Sequence, residues 1–493
     1  MTERRPGVWL VRALAGAGGA IVAVAIGSLL IGAACAAGEG AGGGRWSAPG
    51  TLASCGAASQ PKVVFPLRSP RARSGEGAIV WLGPVLGGAG GCRAGGSGAG
   101  AGARLTVDVA GLHGDDLPAV PRALLYGAAL RVGMVGPLAV SGTTRGQIVV
   151  IVGSRSAHVL GSSEAMLGDA PAAKGAGSVV PLDGANSVVA TANGTIGDAD
   201  VATVVPGAGG GEAIELLAQR HYAHRFGRAL LIPIGAGPVT ALALGMDYRA
   251  DRIVVWVQGG YVWACWVTNH GRISPTQRLG PSGYDAQISA ALSDDNRAFV
   301  AWTDEPSPGA GDVARVYLDH SAAEVVFGQP TVIARFAEPL GVRLSAGSIA
   351  LERLASDGLA IVWPTMIGGR FAVRVAGLGS TRMQAPSTLS RPGEEVRLGA
   401  AATGPDGELL VLLEVAPRGA NAGFEAAKQA IFAVRSHQNG AALGVGALER
   451  VAPAGSNYGP SVAIDPDTDR AVAVWQTLVH GVPSVAWSVR GGG

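Results

Sequence analysis

Charge is scarce in this chain. Asp, Glu, Lys and Arg make up 15% of its 493 residues, and the formal net charge is +2. Lysine is nearly absent, at positions 62, 174 and 428 alone, and no dense Lys/Arg run follows the first dozen residues. With no basic surface to neutralise phosphates, the composition argues against a nucleic-acid partner. Catalytic signatures are missing too. There is no G-x-S-x-G elbow, no Walker loop and no HExxH helix. The Gly-rich runs are repetitive and do not lie between a strand and a helix, so they do not read as phosphate cradles. No cofactor is implied. Helical periodicity is also lacking, which leaves strands and turns.

Glycine and apolar residues are abundant: 78 Gly, and 48% of the chain apolar. That is enough for a large core, and the length implies repeats. The N-terminus reads as an export segment. Arg4, Arg5 and Arg12 precede an uncharged run, "AIVAVAIGSLLIGAACAA", that ends in small residues. Residues 1–36 are therefore expected to be a signal peptide or a membrane anchor, 37–43 a tether, and 44–493 one domain. Cys35 is a lipidation candidate, although Gly32 stands where a lipoprotein signal carries Leu. An extracytoplasmic location permits disulfides, and Cys55 with Cys92 is the candidate pair. Cys265, in the alternating stretch "YVWACWV", reads as a buried free thiol. Asn193 opens a formal glycosylation sequon, "NGT".

One motif recurs along the chain. "DTDRAVAVWQT", "YRADRIVVWVQ", "SDDNRAFVAWTD" and "ASDGLAIVWPT" each place turn residues before an aliphatic run that ends in Trp. Asp, Asn and Gly together make a hairpin turn, and the run after it suits a strand buried on both faces. Aligned on the last large apolar residue, the copies fall at Trp81, Ile151, Val205, Trp256, Trp302, Trp363, Leu412 and Trp475. Such a spacing, about 56 residues on average, fits four-stranded β-propeller blades. The Trp residues then pack between blades as core and not as a ligand cage. A further pattern, "FGQPTVI", "MQAPSTL" and "ISPTQRL", supplies an outer fourth strand in which Pro is tolerated.

The last unit stops after three strands, at Arg490. "WSAPGTL", Trp46–Leu52, matches the fourth-strand pattern with no strands before it. Ring closure accounts for both orphans: the N-terminal strand completes the C-terminal blade and removes the open edge. The expected blades are 62–125, 126–184, 186–233, 237–281, 284–337, 343–391, 395–453, and 457–491 with 44–53. The alternative is seven, with 126–233 as one blade and an insertion. The segments 86–103 and 207–211 read as loops.

On "VAIDPDTDRAVAVW", its sister turns and the fourth-strand pattern, the chain resembles secreted bacterial β-propeller repeat proteins. The resemblance covers nearly all of 44–493 and implies a fold without an activity. No repeated Trp-Asp marks a WD40 protein. "SDDNRAFVAW" departs in spacing from the sialidase box Ser-x-Asp-x-Gly-x-Thr-Trp.

Candidate site residues follow from the architecture. The loops joining fourth to first strands, and second to third strands, gather at one mouth of the channel. They bring Tyr284, Tyr458, Gln258, Asp304 and Gln476 as ligand contacts by stacking and hydrogen bonding. Asp304, Glu305 and Glu414 are the acid–base candidates if the chain hydrolyses or lyses glycans. "DPDTD" places Asp465, Asp467 and Asp469 at calcium-loop spacing, but in a turn that favours Asp anyway. Asp294, Asp295 and Asn296 fill the equivalent turn. His221 and His224 would point to opposite faces of a strand. The working expectation is a monomeric, non-catalytic binding or scaffold module for a protein or glycan at the cell envelope, touching membrane only through its N-terminal segment.

Overall fold

A computed structural model describes residues 45–52, 59–65, 77–84, 104–112, 122–123, 130–131, 138–142, 147–152, 156–161, 177–181, 189–193, 198–207, 210–219, 226–283, 286–304, 313–322, 326–337, 349–354, 358–379, 383–417, 428–439 and 442–491. Their regular structure is all strand. The strands form eight antiparallel sheets, numbered here along the chain: 59–131, 138–181, 189–233, 239–281, 288–337, 350–389, 394–455, and 457–490 with 50–52. Each runs up and down from its first strand to its fourth. Sheets 1 and 5 carry one extra strand piece. The segment 126–233 thus holds two sheets, 138–181 and 189–233, where the alternative of one blade with an insertion required one. Residues 1–36 and 37–43, with Cys35, Cys55, Cys92, His221 and His224, lie outside the described residues.

The first strand of every sheet lies beside the first strands of the sheets before and after it, and that of sheet 8 lies beside that of sheet 1. The first strands therefore line the axis of a closed ring, and the architecture is a β-propeller. The closing device is the N-terminal strand. Gly50–Leu52 pairs antiparallel with Val482–Arg490, with Gly50 opposite Trp487, Thr51 opposite Ala486 and Leu52 opposite Val485. Trp46 adds a bridge to Arg490, the Ser47 N–H donates to the Val489 carbonyl at 2.8 Å, and the Ser488 hydroxyl donates to the Ser47 carbonyl at 2.9 Å. Only glycine fits at position 50, because a Cβ there would run into the Trp487 indole.

The second strands explain the repeat. Arg252–Gln258 is buried along its whole length. Val254 and Trp256 pack on Ala202 and Val204 of sheet 3, while Ile253, Val255 and Val257 pack on Val300 and Trp302 of sheet 5. A strand buried on both faces needs an unbroken apolar run, which is what the sequence shows. Trp81, Trp256, Trp302, Trp363 and Trp475 are all fully enclosed. Each faces the preceding sheet; Trp475, for example, lies against Leu410 and Leu412, and Trp363 against Phe299 and Ala301. Ile151 and Val205 also fall on second strands, Gln147–Val152 and Ala199–Pro206.

Three expectations need correction. Leu412 is not the counterpart of the Trp residues: it faces sheet 8, and Leu413 faces sheet 6 instead. Adjacent leucines leave no aromatic to mark the side. The seven-residue fourth-strand pattern is not strand throughout. Regular pairing starts after the proline, at Gly50, Gln277, Thr331 and Ser387, because a residue without an N–H cannot continue the ladder. The pattern's first residue makes only a lone bridge in Trp46, Ile273 and Met383, and in sheet 5 Phe327 belongs to a separate piece, Val326–Phe327. Finally, Tyr458, expected in the loop before the first strand of sheet 8, lies within that strand, Asn457–Ile464.

Candidate ligand face

Antiparallel connection places the start of first and third strands, and the end of second and fourth strands, at one end of the ring. In sheets 4, 6 and 8 the second-to-third connection at this end is a tight hairpin. Its two central residues have positive φ: Gly259 and Gly260, Gly368 and Gly369, His480 and Gly481. That is the geometry favoured between twisted strands. Seven large apolar residues are exposed among those described, and five of them sit on these hairpins: Tyr261, Ile367, Leu478, Val479 and Val482. All five lie at the same end of the ring, on three sheets that are not neighbours.

The proposed site residues divide sharply. Glu414 lies inside the second strand of sheet 7, Leu409–Pro417, and not beyond its end. It is buried, and its Oε1 accepts the Gly459 N–H of sheet 8 at 2.9 Å. Asp304 ends the second strand of sheet 5, with its Oδ2 3.2 Å from Arg315 Nη1. Gln258 is buried and donates from Nε2 to the carbonyls of Gly235 and Gly237, at 2.8 and 2.6 Å. It therefore fastens the loop leading into its own sheet. Tyr284 and Glu305 lie outside the described residues.

Tyr458 and Gln476 are different. Tyr458 sits inside the first strand of sheet 8, where it was expected just before it, and stands directly opposite Gln476. Both are half-buried, and neither side chain makes a hydrogen bond or ion pair among the described residues. Val472 and Val474 of the same strand face sheet 1, so Gln476, two residues on, opens to that seam. The sequence reading missed their neighbour Asn457. Its Nδ2 donates to the Gln429 and Pro453 carbonyls at 2.7 and 2.9 Å, and its Oδ1 accepts Trp475 Nε1 at 3.0 Å. This fixes the backbone that carries Tyr458. Glu212 and Glu395 were also missed. Each accepts a backbone N–H from a neighbouring sheet, Val239 at 2.9 Å and Phe371 at 2.7 Å. Isolated acids in mixed sequence gave no pattern by which to find these ties.

The opposite face is an ion-pair belt. Arg252 pairs with Asp200, Arg353 with Asp294, Arg435 with Glu408, and Arg490 with Glu449 at 2.9 Å. Three of these four join adjacent sheets. The turn acids act within this belt. Asp294 also accepts the Tyr248 N–H at 3.2 Å, and Asp295 sits 3.0 Å from Arg297. Asn296 takes a positive φ of 61° in its turn. Asp465 is buried and closes its own turn, accepting the Asp467 N–H at 3.0 Å and the Thr468 hydroxyl. Asp469 is directed toward Arg435 at 3.9 Å. Asp465, Asp467 and Asp469 are thus not gathered on one centre, and no cluster of three metal-ligating side chains occurs among the described residues. Cys265 is a buried free thiol, and burial pushes it up to about 12.

No family model matches the chain, and no curated protein matches it. Solved structures show distant likeness. A subtype N11 neuraminidase-like protein of A/flat-faced bat/Peru/033/2010 (H18N11) aligns at 9% identity over 62% of this chain and 87% of its own, with a TM-score of 0.32. An α-L-arabinofuranosidase from Fusarium graminearum, solved with an iminosugar inhibitor, gives 8% identity over 62% and 92%, with a TM-score of 0.32. The Aleuria aurantia lectin, solved with Fucα1-6GlcNAc, gives 11% identity over 68% and 98%, with a TM-score of 0.33. Likeness at this level assigns no activity.

Proposed function

We propose that this propeller is a non-catalytic binding module that engages a glycan or protein at the cell envelope through the face bearing the tight hairpins. The contrast between committed and free side chains carries the reading. Glycoside cleavage needs two available carboxyls about 5–10 Å apart. Of the acid–base candidates, Glu414 is tied to a backbone N–H and Asp304 to an arginine, and sheet 6 separates their sheets. Tyr458 and Gln476 are held side by side and have no polar partner among the described residues: an aromatic face next to an amide, a combination that suits sugar stacking with a hydrogen bond. The basic, apolar N-terminal segment supports export to the envelope.

The test pairs a glycan array with a panel of chromogenic glycosides. Binding that is lost in Tyr458→Ala, with no turnover of any glycoside, is the expected result. Turnover abolished by Asp304→Asn or Glu414→Gln would replace this reading with a glycan-active hydrolase or lyase.

A further inference from the structure

A row of charged side chains crosses three strands at the ligand-face end of sheet 5. Asp304 ends the second strand, Ala298–Asp304. Arg315 stands directly opposite it on the third strand, Val313–Ala322, and Arg335 stands directly opposite Arg315 on the fourth, Thr331–Ala337. Directly opposed residues project from the same sheet face with Cβ atoms about 5 Å apart, and like charges placed so repel. The one carboxylate of the row pairs with Arg315 alone, and only in part. Asp304 Oδ2 lies 3.2 Å from Arg315 Nη1, and the Arg315 side chain remains 41% exposed. Arg335 is exposed and makes no ion pair or hydrogen bond among the described residues.

The next row along the sheet supplies a hydroxyl. Tyr317 is opposite Trp302, and the rings stack at 5.1 Å with 12° between their planes, which holds the phenol in place. Burial first, and the Asp304 carboxylate second, push the Tyr317 phenol up; Arg315 and Arg335 act against them. All three charged groups therefore lie within electrostatic reach of that hydroxyl. A bulge in the third-to-fourth-strand pairing falls between the two rows, a device that re-aims side chains.

We propose that Arg315, Arg335 and the Tyr317 hydroxyl form an oxyanion site that takes the carboxylate or sulfate group of an acidic sugar. Guanidinium groups bind such groups through paired N–H donors in a planar fork, and two arginines on one sheet face carry more donors than the single Asp304 carboxylate can fill. Asp304, a candidate acid in the sequence, becomes the counter-charge that orients Arg315 and competes with the ligand for it. The oxyanion site stands on sheet 5 alone; only the sugar part of the ligand rests on the binding reading above.

The experiment is calorimetric titration at fixed ionic strength with glucuronate, glucose 6-sulfate, free sulfate and glucose. The proteins are the parent chain, Arg335→Gln, Asp304→Asn and, as a control, Arg272→Gln, an exposed arginine in the turn after the third strand of sheet 4. Both anionic sugars are expected to bind and glucose not. Arg335→Gln should weaken binding at least tenfold, Asp304→Asn should tighten it several-fold, and Arg272→Gln should leave it unchanged. Since Arg335 has no partner among the described residues, Arg335→Gln should keep the parent's Trp fluorescence. If no anion binds at tens of millimolar, or Arg335→Gln matches Arg272→Gln, the site is refuted. Equal affinity for free sulfate and the anionic sugars would refute the sugar assignment and keep the oxyanion site. Uncharged glycans binding through Tyr458 while every anion fails here would leave the proposed function standing without this site.

Discussion

Trp302→Ala tests the packing logic of the ring at one position. The indole is fully enclosed between sheets 4 and 5, stacked on Tyr317, with Nε1 donating to the Pro281 carbonyl at 3.0 Å. Truncating a buried Trp to Ala costs about 3–5 kcal/mol. The lost stack, about 1 kcal/mol, and the orphaned carbonyl of Pro281, about another 1 kcal/mol unless water reaches it, place this site in the upper half of that range. A loss of about 4–5 kcal/mol is expected, and about 1–2 kcal/mol for Trp302→Phe, which keeps the stack but not the donor. Gly280 sharpens the test. A Cβ there would lie 2.8 Å from Trp302 Cζ2, so Gly280→Ala should cost about 1–3 kcal/mol by overpacking. In the Trp302→Ala background that clash disappears, and the pair should couple by more than about 1 kcal/mol. The assay is urea unfolding followed by circular dichroism and Trp fluorescence, whose transitions must coincide for these energies to be defined. A Trp302→Ala loss under about 1 kcal/mol, or strict additivity with Gly280→Ala, would refute the inter-sheet packing described here.

Two further outcomes follow from buried titratable groups. The Asp247 carboxyl is pushed up to about 6, first by burial, and its Oδ2 has no hydrogen-bond partner among the described residues while Oδ1 accepts the Arg249 and Asp251 N–H groups. A folded-state value above the unfolded one means that the folded chain holds the proton more tightly. Stability from this group is therefore full below about pH 4 and lost as pH rises toward 6. The loss is at most about 3 kcal/mol at 1.36 kcal/mol per pH unit. Asp247→Asn keeps the Oδ1 acceptor, so the difference in urea midpoint between parent and variant should open from pH 4 to 7 in the variant's favour; a constant difference would contradict the burial argument. The Cys265 thiol, buried and pushed up to about 12, should resist iodoacetamide in the native state and react on unfolding, as read by mass spectrometry. Rapid native labelling would show that the third strand of sheet 4 is open.

How much was legible in the sequence depended on what repeats. The second strands declared themselves because burial on both faces demands an apolar run, and the Asp/Asn turns before them set the register. Ring closure was legible because "WSAPGTL" copied a pattern used elsewhere. Leu412 was misread by one residue because Leu412 and Leu413 face opposite sheets with the same side chain. The site was far less legible. Gln258, Asp304 and Glu414 all end near the expected face, but what each side chain does there is decided by a partner from a distant stretch: Gly235 and Gly237, Arg315, and Gly459. The Arg315–Arg335 pairing was invisible for the same reason, since it exists only through register across a loop.

The central claim is that the N-terminal strand closes the ring. Thr51 and Ala486 are directly opposite in its pairing with the third strand of sheet 8. Directly opposed residues in an antiparallel pair have Cα atoms about 4.5–5.5 Å apart, within reach of a disulfide. Thr51→Cys with Ala486→Cys, oxidised under native conditions, should form one intramolecular bond, seen by mass spectrometry and by a shift in non-reducing electrophoresis. It should form nearly completely when folded, poorly in denaturant, and poorly when Thr51→Cys is combined with Val326→Cys on sheet 5 instead. Failure of the 51–486 bond under native conditions, or equal formation with position 326, would contradict the closed ring.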